Sequence, residues 1–346
     1  MTNQPAIAQS RPAIAEPSVR PKQTRELQSF KHDRPLTTCR VDSQARFAFA
    51  GAEDFFVHRW NLQTGEKTTL EGPQSWVRCI DISPDDETIV AADWRGRLCW
   101  WRTSDASTKP IRTVQAHQGS CRWVRFSPDG SQLITCGNDL LIKLWQADGT
   151  PIAEFAGHER YPYAVVFHPQ RAELASQDLL GNVKIWDIEK HAEKKTIPVK
   201  VMTGYDKVFA ADMGGPRDLQ FDPAGERLLC TGITNVKNAF AGVQDPILVS
   251  LDLNTDELKP MKVAKNFQGI AWGGRFHPAG FVMGCGANRT GKGAIWYWEV
   301  GQDQPFHTHD LKSAARGMDL TQHHQTAVIA HADGSLKTYS LVPKTA

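Results

Sequence analysis

The chain has 346 residues, of which 40% are apolar, and its formal net charge is +2. This length is sufficient for one large all-β domain with its own core. The small basic excess does not indicate a nucleic-acid or membrane partner, and no apolar run approaches the roughly 20 residues that span a bilayer.

Residues 1–24 contain four prolines and few large apolar side chains, which predicts a disordered N-terminal tail. The segment lacks the basic start and apolar core of a secretory signal. The chain has seven cysteines, an odd number, and no pair of them has metal-ligand spacing. Because they lie in strand-like runs, where cysteine serves as a small apolar residue, we expect a reducing, cytoplasmic location.

One pattern recurs along the rest of the chain: an alternating apolar run, a proline, a turn and a second apolar run. The prolines are Pro84, Pro128, Pro169, Pro223 and Pro278. A third run closes each unit, and its marker residues are Trp60, Trp101, Trp145, Trp186, Leu251, Trp298 and Tyr339. The gaps between these markers are 41, 44, 41, 65, 47 and 41 residues, and most match the roughly 40–45 residues of a four-stranded propeller blade.

The apolar residues alternate with period two, which is typical of strands. The sequence therefore predicts an all-β fold, a single seven-bladed β-propeller over residues 25–343. Residues 25–32 match the outer strand of the other units, so we expect them to complete the last blade and close the ring. The gap of 65 residues implies an insertion, which we place at residues 233–246. A functional loop and a plain surface hairpin are both consistent with it.

The fourth unit carries Gly157-His158 before its first strand and Trp186-Asp187 in its third. With these motifs the chain resembles the WD-repeat family of β-propellers over about residues 25–343. The resemblance is specific for the fold and says little about function.

The resemblance also implies a buried, hydrogen-bonded structural tetrad in the fourth blade. Its members would be His158, Ser176, Asp178 and Trp186. In the third unit His117, Asp139 and Trp145 match the same pattern, but Gly137 stands at the hydroxyl position. The tetrad is therefore expected to be eroded outside the fourth blade.

Aligning the first run of every unit on its last apolar residue places seven side chains at one position, four residues earlier. They are Thr37, Arg78, Arg122, Tyr163, Arg217, Trp272 and Arg316. Trp76 and Tyr161 lie two residues further upstream in their units. The WD-repeat resemblance implies that these positions are top-face contact sites. We predict partner binding by Arg78, Arg122, Tyr163, Arg217, Trp272, Arg316, Trp76 and Tyr161.

The residue types support this prediction. Arg, Trp and Tyr are enriched at interface hot spots, and arginine pairs bidentately with carboxylate or phosphate. Two other interpretations stay open. Each arginine could pair with a nearby acid such as Asp93, Asp212 or Asp218, or its stem could simply cover apolar surface.

We expect a non-catalytic scaffold that binds a protein or peptide on its top face; an acidic or phosphorylated partner is one option. The alternative is a propeller enzyme acting on a small anionic metabolite in the central mouth, which a deep pocket with a perturbed acid–base pair would favour. The sequence contains no activated-serine elbow and no Cys/His nucleophile pattern.

Metal, cofactor and nucleic-acid partners are not expected. The pairs His307/His309 and His323/His324 are weak metal motifs, because no carboxylate or cysteine partner is evident. The near-neutral net charge argues against nucleic acid, and no membrane contact is expected. The sequence does not determine the oligomeric state.

Overall fold

The structure is a computed structural model that describes residues 18–238, 241–263 and 267–344. Residues 1–17 of the predicted tail and positions 239–240 of the predicted insertion lie outside the described residues. The chain forms seven four-stranded antiparallel sheets, the blades of a closed ring. This confirms the predicted all-β, seven-bladed propeller.

The strands follow one another blade by blade. Strand β1 (Arg25–Lys31) comes first. Blade one contains β2 (Leu36–Val41), β3 (Phe47–Ala52), β4 (Val57–Asn61) and β5 (Lys67–Leu70). Blade two contains β6 (Val77–Ile82), β7 (Thr88–Asp93), β8 (Arg97–Arg102) and β9 (Arg112–Gln115). Blade three contains β10 (Cys121–Phe126), β11 (Gln132–Gly137), β12 (Ile142–Gln146) and β13 (Pro151–Phe155). Blade four contains β14 (Pro162–Phe167), β15 (Glu173–Asp178), β16 (Asn182–Asp187) and β17 (Ala192–Pro198).

A separate hairpin of β18 (Thr203–Asp206) and β19 (Ala211–Gly214) precedes blade five. Blade five contains β20 (Asp218–Phe221), β21 (Arg227–Asn238), β22 (Val243–Asp252) and β23 (Leu258–Lys262). Blade six contains β24 (Gly269–His277), β25 (Phe281–Asn288), β26 (Gly293–Glu299) and β27 (His307–Leu311). Blade seven contains β28 (Ala315–Leu320), β29 (Thr326–His331) and β30 (Ser335–Ser340), together with β1. The helices among the described residues are two 3₁₀ turns, Pro21–Gln23 and Lys200–Met202, and neither could cross a bilayer.

The core lies between neighbouring blades, because alternate side chains of each strand point to opposite faces of its sheet. Apolar residues of adjacent blades interlock there, and the largest are buried tryptophans, among them Trp60, Trp101, Trp186, Trp296 and Trp298. Tight turns connect most of the strands within each blade. At Gly130 the backbone has a φ of +73°, a conformation that glycine adopts without strain.

The ring closes through strand β1, as predicted. It pairs antiparallel with β30, from Arg25 opposite Ser340 to Lys31 opposite Ser335. The ordered contacts begin earlier than the sequence suggested, within the predicted tail. The Arg20 amide donates to the Leu341 carbonyl at 2.7 Å, and residues 18–24 therefore belong to the packed domain.

Two insertions, rather than one, account for the gap of 65 residues between the markers Trp186 and Leu251. The predicted insertion at 233–246 continues β21 and β22 beyond the blade, as far as Asn238 opposite Val243. The β18–β19 hairpin was not predicted, because its sequence lacks the proline-turn signature of the repeats. The two insertions pack against each other near Thr234, whose hydroxyl donates to the Val201 carbonyl at 2.6 Å.

Candidate functional site

The seven side chains that share one alignment position line the same mouth of the central channel. The first strand of every blade begins at this end, which we call the top face. We call the mouth formed by these residues the arginine mouth: Thr37, Arg78, Arg122, Tyr163, Arg217, Trp272 and Arg316.

A repeated irregularity of the first strands accompanies this position. In blade two the pairing of β6 with β7 shifts between Val77 and Cys79, so that Arg78 is the unpaired residue of a β-bulge. In blade three the same shift occurs between Cys121 and Trp123, around Arg122. Bulges lie at the corresponding place in the first strands of blades one, four, six and seven. Since a bulge redirects the side chain of the extra residue, it explains how these side chains come to face the mouth.

The guanidinium groups pack on aromatic rings. The guanidinium carbon of Arg122 lies 4.1 Å from the ring centre of Tyr163 and 5.2 Å from that of Tyr161. That of Arg217 lies 5.4 Å from Tyr163 and 5.6 Å from Trp272. Cation–π contacts of this kind hold a guanidinium in place without neutralising its charge.

Trp94 is a member of this network that the sequence analysis missed. The guanidinium carbon of Arg78 lies 4.9 Å from its ring centre, and Trp76 meets Trp94 edge-on at 6.4 Å. Trp94 sits in the turn between β7 and β8, outside the aligned first runs, so no repeat position marked it. The sequence feature that could have identified Trp94 is the presence of a tryptophan in a short, exposed turn.

Three of the four arginines have no carboxylate partner among the described residues. Nε of Arg122 donates to Oδ1 of Asn138 at 2.6 Å. Arg217 donates to backbone carbonyls, including that of Gly215 at 3.1 Å. Nε of Arg78 is buried and makes no hydrogen bond in the described part of the chain. Arg316 differs from the other three, because it pairs with Glu53 of blade one at 2.7 Å.

The acids that could have neutralised these arginines are engaged elsewhere. Asp93 accepts from the backbone amides of Gln74 and Arg95. Asp212 pairs with Arg160 at 3.3 Å. The Asp218 carboxylate lies deeper in the channel and binds other arginines. Pairing with a nearby acid therefore explains Arg316 alone.

The positive charge that no acid compensates has its largest effect on the pKa of Arg78. Burial, together with the positive charges of Arg122 and Arg217, lowers the pKa of Arg78 to about 10. Burial likewise lowers the pKa of Arg217. Both groups stay charged near neutral pH, and holding them close together costs free energy unless an anion compensates them.

Below the mouth, six charged side chains alternate in sign around the channel. We call this the salt-bridge ring: Arg40, Asp81, Arg125, Asp218, Arg275 and Asp319. Arg40 pairs with Asp81 at 3.1 Å, Arg125 lies 3.9 Å from Asp81 and 3.8 Å from Asp218, and Arg275 pairs with Asp218 and lies 3.5 Å from Asp319. In the ring, unlike the mouth, every arginine has an acidic neighbour.

The opposite end of the channel is wider and largely apolar. Its cavity has a volume of about 580 Å³. Its wall includes the last apolar residues of the first strands, such as Ile82, Phe126, Phe167 and Phe276. Of the carboxylates and guanidinium groups that line this cavity, six belong to the salt-bridge ring, Asp222 pairs with Arg227 at 3.1 Å and Asp86 accepts hydrogen bonds from Ser43. The uncompensated positive charge therefore lies at the top face.

The tetrad residues of blade four form one hydrogen-bonded chain. Nδ1 of His158 lies 3.0 Å from Oδ2 of Asp178, and its Nε2 lies 2.7 Å from Oγ of Ser176. Nε1 of Trp186 donates to the same hydroxyl at 2.8 Å. All four side chains are buried. Because each polar atom is satisfied inside the blade, the arrangement stabilises the fold and offers nothing to a ligand.

Blade three contains the same tetrad, which corrects the expectation of erosion there. The hydroxyl is that of Thr135, at 2.8 Å from Nε2 of His117 and 2.9 Å from Nε1 of Trp145. The alignment had placed Gly137 at this position, because the acid follows the hydroxyl residue by two positions in blade four (Ser176 and Asp178) but by four in blade three (Thr135 and Asp139). A Cβ at Gly137 would lie 2.4 Å from the His117 ring, so the close packing of that ring requires glycine.

Sequence comparison identifies the repeats. The family described as "WD domain, G-beta repeat" matches residues 65–102, 108–146 and 149–187, which cover most of blades two, three and four. The chain is a seven-bladed β-propeller that contains three WD repeats. The remaining blades share the architecture but not the full motif, as the loss of the tetrad in several of them illustrates.

The similar proteins are WD-repeat proteins of modest identity. An uncharacterized WD repeat-containing protein of Schizosaccharomyces pombe is 25% identical over 179 residues, 48% of either chain. Nuclear distribution protein nudF of Emericella nidulans is 23% identical over 223 residues, 57% of this chain and 49% of that protein. Target of rapamycin complex subunit wat1 of Schizosaccharomyces pombe is 25% identical over 140 residues, 40% of this chain and 44% of that protein. The matches thus span about half the length of these relatives.

Exposed apolar side chains surround the arginine mouth of this propeller. Trp76 and Tyr161 are 46% and 41% exposed, and Phe55, in the turn between β3 and β4, is 44% exposed. Val208, at the tip of the β18–β19 hairpin, is 86% exposed. The top face therefore combines uncompensated positive charge with contact area of the kind found at protein interfaces.

Proposed function

We propose that this WD-repeat propeller is a non-catalytic scaffold whose top face binds a protein or peptide, with the arginine mouth receiving an anionic group of that partner. The proposal rests on one observation. Arg78, Arg122 and Arg217 converge on the mouth without a carboxylate partner in the described chain, whereas the arginines of the salt-bridge ring all have one.

The physical argument is electrostatic. Buried like charges raise the free energy of the folded protein, and an arriving carboxylate or phosphate would remove that cost. The aromatic faces of Tyr163 and Trp272 position the guanidinium groups, so little side-chain entropy remains to be lost on binding. The buried Nε of Arg78 also leaves this guanidinium short of one hydrogen bond in the described chain.

The size of the mouth favours a side chain over a whole metabolite. Its volume is about 50 Å³, far below the roughly 300–1,000 Å³ of small-molecule sites. An anionic side chain could enter the mouth while the rest of the partner contacts the exposed aromatic residues around it. At the arginine mouth, this supports a macromolecular partner over a small anionic metabolite.

The comparisons and the cysteines support the same proposal. The relative named wat1 is, by its name, a subunit of a complex, which agrees with a role in protein assembly. All seven cysteines are buried and unpaired, which supports a reducing compartment such as the cytoplasm.

The test is affinity capture from a lysate of the source cells with three baits. The double variant Arg78→Glu/Arg217→Glu reverses the charge of the mouth and should lose the proteins captured by the wild type. Capture by the wild type should also decline as salt is raised, because partly exposed charges are screened. Arg102→Glu/Arg171→Glu makes the same charge change at the opposite face and should capture as the wild type does. Equal capture by all three baits, with matched melting temperatures, would exclude the proposal.

A further inference from the structure

A second cluster of polar side chains lies where the closing strand meets blade one. His32 follows β1, Asp54 lies in the turn between β3 and β4, and His58 lies in β4. Nε2 of His32 is 2.9 Å from Oδ2 of Asp54, and Nε2 of His58 is 3.0 Å from the same oxygen. The ring centres of the two imidazoles are 3.9 Å apart.

This cluster occupies the place of the tetrad in blade one. His32 stands nine residues before Val41, just as His158 stands nine before Phe167. The hydroxyl residue of blade four, Ser176, lies opposite Lys184. The corresponding residue of blade one is Ala50, which lies opposite His58. Blade one has therefore lost the hydroxyl and gained a second imidazole.

With an imidazole in place of the hydroxyl, blade one brings two histidines and one aspartate together. In blades three and four the histidine places one ring nitrogen on the carboxylate and the other on the hydroxyl. In blade one both imidazoles turn Nε2 toward a single carboxylate oxygen. Nε2 of His32 is buried and makes no hydrogen bond among the described residues, although Asp54 lies beside it. The three ligand atoms lie within 4.8 Å of one another.

We propose that His32, His58 and Asp54 bind a zinc ion through the two Nε2 atoms and Oδ2, with water as the fourth ligand. Two imidazoles and one carboxylate are ligands that suit zinc. Bonds of about 2.0–2.1 Å in a tetrahedral site require the ligand atoms to lie roughly 3.3 Å apart, so the two separations of 2.9 and 3.0 Å between Nε2 and Oδ2 need to open by only a few tenths of an ångström.

The surrounding groups are compatible with this site. Oγ1 of Thr69 lies 3.2 Å from Nδ1 of His58, and a hydrogen bond donated by Nδ1–H to this hydroxyl would leave Nε2 free to bind the metal. Lys67 opposes the ion, since its ammonium lies 3.4 Å from Nδ1 of His32, but its side chain is exposed and can move away.

The position of the site gives zinc a structural role. His32 directly follows the strand that closes the ring, and the other two ligands belong to blade one. A bound ion would therefore link the end of the closing segment to the neighbouring blade. Because the ion binds the folded ring, it should stabilise the protein by mass action.

The test is titration of the full chain with Zn²⁺ after chelator treatment, followed by calorimetry and thermal melting. The wild type should bind one equivalent with a dissociation constant at or below the micromolar range, and zinc should raise its melting temperature. His58→Gln and Asp54→Asn should each weaken binding at least 100-fold and abolish the shift. The exposed His191→Asn should bind as the wild type does, and Lys67→Met should bind more tightly.

Two controls keep the result interpretable. Melting of the metal-free variants separates lost binding from lost folding, and the visible absorption of bound Co²⁺ reports four-coordinate geometry in whichever variants stay folded. Wild-type zinc affinity no greater than that of folded His58→Gln, or a wild type that binds no zinc, would overturn the proposal.

Discussion

At the scale of single residues, arginine side chains have two different roles in this propeller. Arg125 lies in the salt-bridge ring, within 4 Å of both Asp81 and Asp218. Arg122, three residues earlier on the same strand, packs on Tyr163 and has an amide oxygen as its side-chain partner. The bulge in β10 separates the two environments. Charge that is neutralised inside the protein stabilises structure, and charge that is left uncompensated is available for binding.

The tetrad of blade four should carry a large share of local stability. Trp186→Ala removes a buried indole and leaves the Ser176 hydroxyl short of one hydrogen bond, so it should lower the free energy of unfolding by about 3–5 kcal/mol. Trp94 is 44% exposed, and Trp94→Ala should cost no more than about 1 kcal/mol. Denaturant midpoints measure both changes. A larger loss for Trp94→Ala would contradict the assigned burial.

A buried histidine in blade seven should make stability depend on pH. His331 is 1% exposed, and its Nδ1 lies 3.1 Å from the Ser313 carbonyl. Burial lowers its pKa to about 4, against 6.5 for the unfolded chain. Between these values the unfolded state binds a proton that the folded state does not. The contribution of neutral His331 to the free energy of unfolding is therefore complete above pH 6.5. As the pH falls toward 4, the free energy of unfolding decreases by up to about 3 kcal/mol.

The measurement is the free energy of unfolding between pH 6.5 and 5, where carboxylates are still largely ionised. His331→Gln should give a shallower dependence on pH than the wild type, even if its stability at neutral pH is lower. His191, an exposed histidine in a turn, provides the control, and His191→Asn should keep the wild-type slope. An unchanged slope in His331→Gln would show that His331 does not titrate in this range.

At the scale of elements, the closing strand and the two extra hairpins distinguish this chain from a plain ring of repeats. Strand β1 supplies the outer edge of blade seven and covers β30. The extended β21–β22 hairpin and the β18–β19 hairpin rise at the top face, beside the arginine mouth. They place the exposed Tyr205 and Val208 at the level where a partner would dock.

Truncation should reveal the contribution of β1. Deleting residues 1–32 removes every pairing between β1 and β30, exposes the edge of blade seven and should lower the melting temperature severely or prevent folding. Deleting residues 1–22 removes the Arg20–Leu341 hydrogen bond but keeps the strand, and should cost only about 1 kcal/mol. Thermal melting compares the two proteins. Equal midpoints would show that ring closure does not depend on β1.

At the scale of the whole molecule, ring geometry concentrates charge that the composition conceals. The net charge is only +2, yet Arg78, Arg122 and Arg217 meet at one end of the channel. Their positions are 44 and 95 residues apart along the chain, and only the closed ring brings them together. The other end of the channel presents apolar wall residues and charges that are ion-paired or, at Asp86, hydrogen-bonded. The local field at the top face, rather than the total charge, decides what the protein attracts.

Much of the fold could be read from local sequence patterns. Alternation with period two specifies strands, and turn residues such as Pro128 and Gly130 specify where they end. The markers from Trp60 to Tyr339 then predict seven blades, and the match of residues 25–32 to an outer strand predicts closure. These features were predictable because each is encoded within one repeat and occurs at a regular interval. The same regularity placed Arg78 and Arg217 at equivalent positions.

Only the tertiary structure decided which of these side chains are neutralised and by what. Arg316 pairs with Glu53 across the junction of the first and last blades, whereas Arg78 has no acidic partner in the described chain. The repeat pattern predicts neither outcome. The alignment also misplaced the blade-three hydroxyl, because the acid Asp139 lies four residues after Thr135 rather than two. His32 and His58 meet through ring closure alone. Such contacts depend on distances between strands and on burial, which sequence spacing does not encode.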